Sequence, residues 1–315
     1  MGGYSGEYEV SLRSGENILD SIDTNIYDIY RVHISRDGWH IVHENEKIPL
    51  DRADFSAEID GEKITFDVCF NIIHGTPEDG LMQAYWDMIG QKYTGCDAYT
   101  SALTFHKKDT LAVLKEYGVQ SAARWTIRKE DIPDFQKITE TLGNTLFIKP
   151  NASGSSLVSK VTCKEEFIPA VQKAFQEDDE ILVESALAME VSVVIEYHGK
   201  IMVLGITEIV PNGDFFDYDA KYNGESQEIT PARIDEETRI KIEKNALQVY
   251  QVLGVQGLSR SEYIIVDGEP FLLEVNTNPG FTAASILPQQ ALVYGLSIQD
   301  ICHNEIEKVL TKKKI

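Results

Sequence analysis

The stretch LSRSEYIIVDGEPFLLEVN, residues 258–276, constrains this chain more than any other. Two apolar runs flank Asp-Gly-Glu, the turn signal of a two-stranded hairpin. Side chains of a strand alternate between faces, so Arg260 and Glu262 share a face, as do Glu274 and Asn276. If the hairpin register allows, Glu262 stands beside Glu274. Carboxylate and amide oxygens grouped in this way suit Mg²⁺ or Mn²⁺, whose remaining ligands are waters and phosphate oxygens. The second strand then stops at Pro279-Gly280. Acids on hairpins are common, so the pattern alone leaves a metal site and a plain polar edge both open.

Apolar periodicity sets expectations for the rest. A glycine turn leads into a first helix, with Ser5 as its cap and Val10, Ser14, Ile18 and Ile22 at helical spacing. A strand is predicted over 25–35, polar irregular structure or a hairpin over 40–65, and a strand buried on both faces over 64–75. One helix covers 103–119 and ends at Gly118. Residues 144–161 read as strand, Gly-Ser loop, strand, and 165–178 as an amphipathic helix. Antiparallel strands fill 180–210 with a turn at His-Gly-Lys. Long helices follow over 235–254 and about 297–310, the last with a basic tail that suits a helix end. Strand followed by helix, repeated, argues for α/β layering. The pattern shifts near residues 100 and 186.

Composition narrows the function classes. The 315 residues suffice for two or three domains. A net charge of −22 repels nucleic acid and anionic membranes, so neither is expected as a partner. No apolar run reaches the ~18 residues of a membrane span. The start lacks the pattern of a secretory signal, and the four cysteines are scattered without a CxxC pair. A cytoplasmic chain with reduced thiols is the expectation. If the substrate is an anion, positive charge must be concentrated against this global sign.

Three further stretches could carry chemistry. KPNASGSS (149–156) sets a Gly-Ser loop after an apolar strand: either a hairpin tip or a cradle of N–H groups for phosphate. The Walker A spacing is absent. Lys149 ends that strand, where a cation needs a partner. FFDYDAKY (215–222) is either a packed aromatic loop or a site loop. HGTPEDG (74–80) follows a buried strand, where open α/β sheets bind ligands.

The order of these signals resembles the ATP-grasp superfamily: Lys107, Lys149 with its Gly-Ser loop, Glu184, Glu190, Lys221, Arg260, Glu262, Glu274 and Asn276. With GGYSGEYEVSL, HGTPEDG, YTGCDAYTSAL, FDYDAKY and NTNPGFTAASILP, the chain resembles the D-alanine–D-alanine ligases from residue 2 to beyond 300. The resemblance implies a fold of α/β and α+β class. It is a three-domain ATP-grasp arrangement with an N-terminal Rossmann-like (pre-ATP-grasp) substrate domain over 1–99. A central α+β ATP-grasp domain would cover 100–185, and a C-terminal ATP-grasp domain with the metal site 186–315. The implied reaction joins two D-alanines with ATP through an acyl phosphate, for peptidoglycan precursor synthesis.

By that resemblance, Lys107, Lys149 and Ser155 contact the nucleotide phosphates, and Lys221 reaches the γ-phosphate. Glu184 lines the adenine pocket, with Phe215 and Leu273 as apolar walls, and Glu190 takes the ribose. Glu262, Glu274 and Asn276 hold two Mg²⁺ or Mn²⁺ ions. Arg260 and the Gly280 N–H stabilise the oxyanion. Glu7, with His74 nearby, takes the ammonium of the first D-alanine. Glu7, Ser155 and Tyr222 form a hydrogen-bonded triad, and Ser285 and Ile286 line the second-substrate pocket. Tyr222 favours D-alanine as second substrate. A homodimer is implied.

Several places depart from the family pattern. The usual apolar strand before Gly2-Gly3 is missing from the sequence, which predicts a poorly anchored Glu7. HGTPEDG, the loop after Gly154 and the Glu184-to-Glu190 spacing are each one residue short, and Glu262 replaces an Asp. These departures keep an alternative in view: a divergent or weakened relative that binds Mg-nucleotide with another second substrate or a regulatory role.

Overall fold

The computed structural model describes residues 1–44, 46–152, 158–185, 190–211 and 226–311. In the N-terminal part, α1 (Tyr8–Ser21) precedes a three-stranded meander of β1 (Arg31–Ser35), β2 (Gly38–His43) and β3 (Glu46–Pro49). A short hairpin of β4 (Ala57–Ile59) and β5 (Glu62–Ile64) follows, then α2 (Leu81–Ile89). The meander and hairpin resolve the 40–65 stretch into ordered strands. The first strand begins only at Arg31, because the Ile26 and Tyr27 N–H groups turn back onto Asp23 O. Ser5 is not the cap of α1. Glu7 holds that position, and the Ser5 hydroxyl accepts the Glu7 N–H at 3.2 Å.

The strand predicted over 64–75 does not form as a ladder. Beyond Ile64 its one strand-type contact is the Cys69–Tyr93 bridge. Side chains take the backbone groups instead. Asn71 N–H donates to Thr94 Oγ1, Ile72 O accepts from Ser11 Oγ at 2.6 Å, and Ile73 O accepts from Asn278 Nδ2 at 2.6 Å. An apolar run can thus be buried without being paired. With Ile34 it lines a cavity of about 680 Å³.

The helix predicted over 103–119 divides into α3 (Ala98–Phe105) and α4 (Lys107–Lys115). The break is at His106, whose backbone bridges to Ala152, while Lys107 N–H donates to Asn151 O at 3.2 Å. The central part contains β6 (Arg124–Arg128), α5 (Phe135–Leu142), β7 (Leu146–Pro150), β8 (Ser159–Val161), α6 (Lys164–Ala174) and β9 (Glu180–Glu184). Its strands form a sheet in the order β6-β9-β7-β8. Alternation divides it cleanly: Leu146, Ile148, Ile181 and Val183 pack with α5 and α6. Lys149 and Glu184, out of phase with those residues, face the other way.

The C-terminal part contains β10 (Glu190–Tyr197), β11 (Lys200–Pro211), β12 (Ser226–Ile229), α7 (Glu236–Val252), β13 (Leu258–Val266), β14 (Glu269–Asn276), α8 (Ile286–Tyr294) and α9 (Ile298–Thr311). Its strands run in the order β12-β11-β10-β13-β14, with every described pairing antiparallel. Both faces are buried. Val194, Tyr263, Leu272 and Val275 pack with α7 and α4. Val191, Val193 and Ile195 pack with α8, α9 and Ile18 of α1. The outer edge of β14 is covered where Ser121 bridges to Leu272, which prevents an open strand edge.

Candidate active site

The hairpin register decides the central question. Glu262 pairs directly with Glu274, and Arg260 with Asn276. Tyr263 pairs with Leu272, so Leu273 is the extra residue of a β-bulge. The bulge re-aims the strand: Leu272 and Val275 enter the core, and Glu274 turns to the opposite side. Leu273 is buried beside it.

Lys149 reaches across from β7. Its ammonium lies 2.8 Å from Glu184 Oε2 and 3.5 Å from Glu274 Oε2. The Glu184 contact is a buried ion pair. Burial opposes the charge on Lys149, but Glu184 and Glu274 outweigh it and hold the group above its ordinary value. Lys107, at the start of α4, lies 3.7 Å from the same Glu274 oxygen. Two buried cations therefore meet one carboxylate in a chain of strongly negative charge. On β13, Arg260 Nη2 donates to Glu262 Oε1 at 2.6 Å.

A cavity of about 230 Å³ opens beside this cluster. Glu7, His74, Lys107, Arg260 and Glu274 line it, as do Asn276, Gly280, Ser285 and Ile286. Thus residues far apart in sequence converge. Cross-links hold the NTNPGF turn in place: Asn278 Nδ2 donates to Ile73 O, Asn17 Nδ2 to Phe281 O, and Phe281 N–H to Ser14 Oγ. The same Ser14 hydroxyl bonds His74 Nε2 at 3.3 Å. Burial, then the Arg260 charge and the amino terminus, push the His74 imidazole down to about 3, so it is neutral near pH 7. Glu7 is anchored through Ser5, whose hydroxyl also donates to His74 O.

The donor set of Glu262, Glu274 and Asn276 is all oxygen, on adjacent strands, which fits a hard divalent cation. Among the described residues no group of three or more His, Cys, Asp or Glu forms a metal cage. An ion here needs phosphate oxygens or water to complete its shell.

Comparison with known proteins follows this geometry. A family model described as D-ala D-ala ligase N-terminus matches residues 1–96, and one described as D-ala D-ala ligase C-terminus matches 106–307. The chain belongs to the D-alanine–D-alanine ligase family. A D-alanine–D-alanine ligase of Flavobacterium johnsoniae is 51% identical, covering 98% of this chain and 97% of that one. The ligase of Christiangramia forsetii is 47% identical over 99% of this chain and 98% of its own. Among solved structures, the D-alanyl-alanine synthetase A of Vibrio cholerae superposes with a TM-score of 0.87 at 26% identity, covering 99% of this chain and 97% of that one. The VanG D-Ala:D-Ser ligase of Enterococcus faecalis gives 0.82 at 31%, covering 98% and 97%. The fold is the mixed α/β, ATP-grasp fold of these ligases.

For this D-alanine–D-alanine ligase family member, Ser155, Phe215, Lys221, Tyr222 and the Glu190 side chain lie outside the described residues. Asn17, Asn278 and Asn151 position the loops without having been singled out in the sequence, and Ser14, placed only by helical spacing, does so too. Ser14 sits at a helical core position and offers a weak signal: a hydroxyl among apolar neighbours needs a partner.

Proposed function

We propose that the cavity and the cation cluster beside it are the two halves of one ligation site. The reaction joins two D-alanines with ATP, and its product serves peptidoglycan synthesis. Lys107 and Lys149 bind the nucleotide phosphates, and Glu184 and Leu273 line the base pocket. Glu262, Glu274 and Asn276 hold the Mg²⁺ or Mn²⁺ ions, which supply charge neutralisation during phosphoryl transfer. Glu7 binds the ammonium of the first D-alanine, and Ser285 and Ile286 receive the second. Arg260, fixed by Glu262, and the Gly280 N–H meet the oxyanion of the tetrahedral intermediate. Ser155, Glu190, Phe215, Lys221 and Tyr222 complete the nucleotide and lid contacts.

The observation that carries this reading is the approach of Lys107 and Lys149 to Glu274 at the mouth of the cavity lined by Glu7 and Ser285. Buried cations beside a buried acid make a ready receptor for a metal-bound triphosphate. We further assign the units 1–99, 100–185 and 186–315, a cytoplasmic setting and a homodimer. No helix among the described residues is long and apolar enough to cross a membrane. A coupled phosphate assay tests the reading: release requires D-alanine, ATP and Mg²⁺ together. Nucleotide binding without phosphate release in the presence of D-alanine overturns it.

A further inference from the structure

We propose that Glu78 is a second carboxylate for the ammonium of the first D-alanine, working beside Glu7. This rests on the reading of the Glu7 cavity as the D-alanine site.

The short loop HGTPEDG folds back on itself. Glu78 N–H donates to Gly75 O at 2.6 Å, and Gly75 N–H donates to Glu78 Oε2 at 2.7 Å. This reciprocal pair aims the Glu78 carboxyl into the cavity that Glu7 and His74 also line. Gly75 is the shared point. Its φ is +71°, and a Cβ there would stand 3.4 Å from Glu7 Oε2. The two acids therefore approach one glycine from two sides, Glu7 from the start of α1 and Glu78 from the loop.

The charges around Glu78 favour a cation beside it. Burial, then the charge of Glu7, hold its carboxyl well above the usual range, and Asp79 adds to this. The Gly75 N–H and Arg260 act the other way without prevailing. Of the basic groups at this cavity, Arg260 is bonded to Glu262, and His74 is neutral near pH 7. Arg13 and Lys107 line the same cavity from α1 and α4. An alkylammonium carries three N–H donors, more than one carboxylate oxygen can accept. A substrate ammonium between Glu7 and Glu78 uses more of these donors. It also offsets the effect of the Glu7 charge on Glu78.

The test separates this role from simple bracing of the loop. Glu78→Gln keeps an oxygen for the Gly75 N–H but removes the charge; Glu78→Ala removes both. Glu78→Gln is expected to raise KM for D-alanine by roughly 10- to 100-fold, the loss of one charge-assisted hydrogen bond. KM for ATP stays at the wild-type value, and Tm at pH 7.5 is unchanged or higher. Wild-type KM for D-alanine in Glu78→Gln, with a defect only in Glu78→Ala, overturns the proposal. Glu7→Gln is the control for the site itself. If it raises KM for D-alanine and Glu78→Gln does not, the role of Glu78 alone fails. If neither does, the D-alanine site is elsewhere.

Discussion

The Lys149 ammonium stands 3.5 Å from Glu274 Oε2, joining strands of two different sheets. Neither group is stable alone at this depth. Removing one partner of a buried pair costs about 3–5 kcal/mol, because the other charge is left uncompensated. Lys149→Met therefore takes the cation from Glu184 and leaves Glu274 with Lys107. We expect a fall in Tm and a loss of phosphate release of about 10³-fold, the scale of losing one preorganised electrostatic group. Glu274→Gln keeps the shape and removes a proposed metal ligand. It is expected to abolish Mg²⁺-dependent turnover with a smaller change in Tm. Thermal unfolding and a phosphate assay on both variants check this contrast.

Glu262 offers a subtler case, because it holds Arg260 as well as facing Glu274. In this chain the longer side chain reaches Arg260 at 2.6 Å while pairing with Glu274 across the strands. Glu262→Asp withdraws the carboxylate by about one methylene and loosens the Arg260 clamp. A displacement of about 1 Å in a positioned site costs up to about 10²-fold in rate. We expect kcat to fall about 10-fold with KM for ATP little changed. An equal or faster Asp variant would show that the Arg260 contact does not matter for turnover.

Some of this was legible in the sequence, and the reason is periodicity. Strand alternation alone placed Arg260 with Glu262 and Glu274 with Asn276, but it left the pairing of the two strands open. The bulge at Leu273 decides that pairing, because the turn at Asp267-Gly268 without it would set Glu262 opposite Leu273. The strand over 64–75 was misread because apolar content measures burial, whereas a strand needs a backbone partner. There Ser11, Asn71, Thr94 and Asn278 supply the hydrogen bonds. The break at His106 came from a contact with Ala152, 46 positions away, which helical spacing cannot register. Resemblance named Gly280 and His74, but not the Ser14 hydroxyl that sets them beside each other.

That hydroxyl makes a prediction of its own. Ser14 is fully buried and bonds both His74 Nε2 and the Phe281 N–H. Ser14→Ala leaves a buried imidazole nitrogen and a backbone donor unpaired, at about 1–3 kcal/mol each. The turn after Asn276 then loses its register on α1. A lower Tm and a kcat reduced about 10-fold are expected, the second because Gly280 adjoins Phe281. Ser14→Ala with wild-type kcat would confine this link to stability.

His74 itself governs acid stability. Its folded value, pushed down to about 3 chiefly by burial, is below the ordinary 6.5. Above about pH 6.5 both folded and unfolded chains hold it neutral, and its contribution is fully present. As pH falls from 6.5 toward 3, the unfolded chain takes up a proton that the folded chain refuses. Stability drops by up to about 1.4 kcal/mol per pH unit. His74→Gln is expected to flatten the Tm–pH curve between pH 6.5 and 4 relative to wild type. Parallel curves for the two proteins would show that His74 is not the group responsible.

Gly280 tests the proposed approach of backbone to substrate. Its backbone angles are open to any residue, so an alanine there carries no conformational strain. A Cβ at this position would stand 3.0 Å from Ser285 Oγ, which itself bonds Thr282 Oγ1 at 2.8 Å. Gly280→Ala must therefore displace the Ser285 hydroxyl by a few tenths of an ångström, and it narrows the space in front of the Gly280 N–H. The cost is local: Tm is expected to move by less than about 2 °C, as for a surface change within about 0.5 kcal/mol. Activity should fall much further, with KM for D-alanine raised about 10-fold and kcat lowered by a similar factor. A variant that loses Tm and activity in proportion would place the effect in folding. A variant with neither change would remove Gly280 from the site.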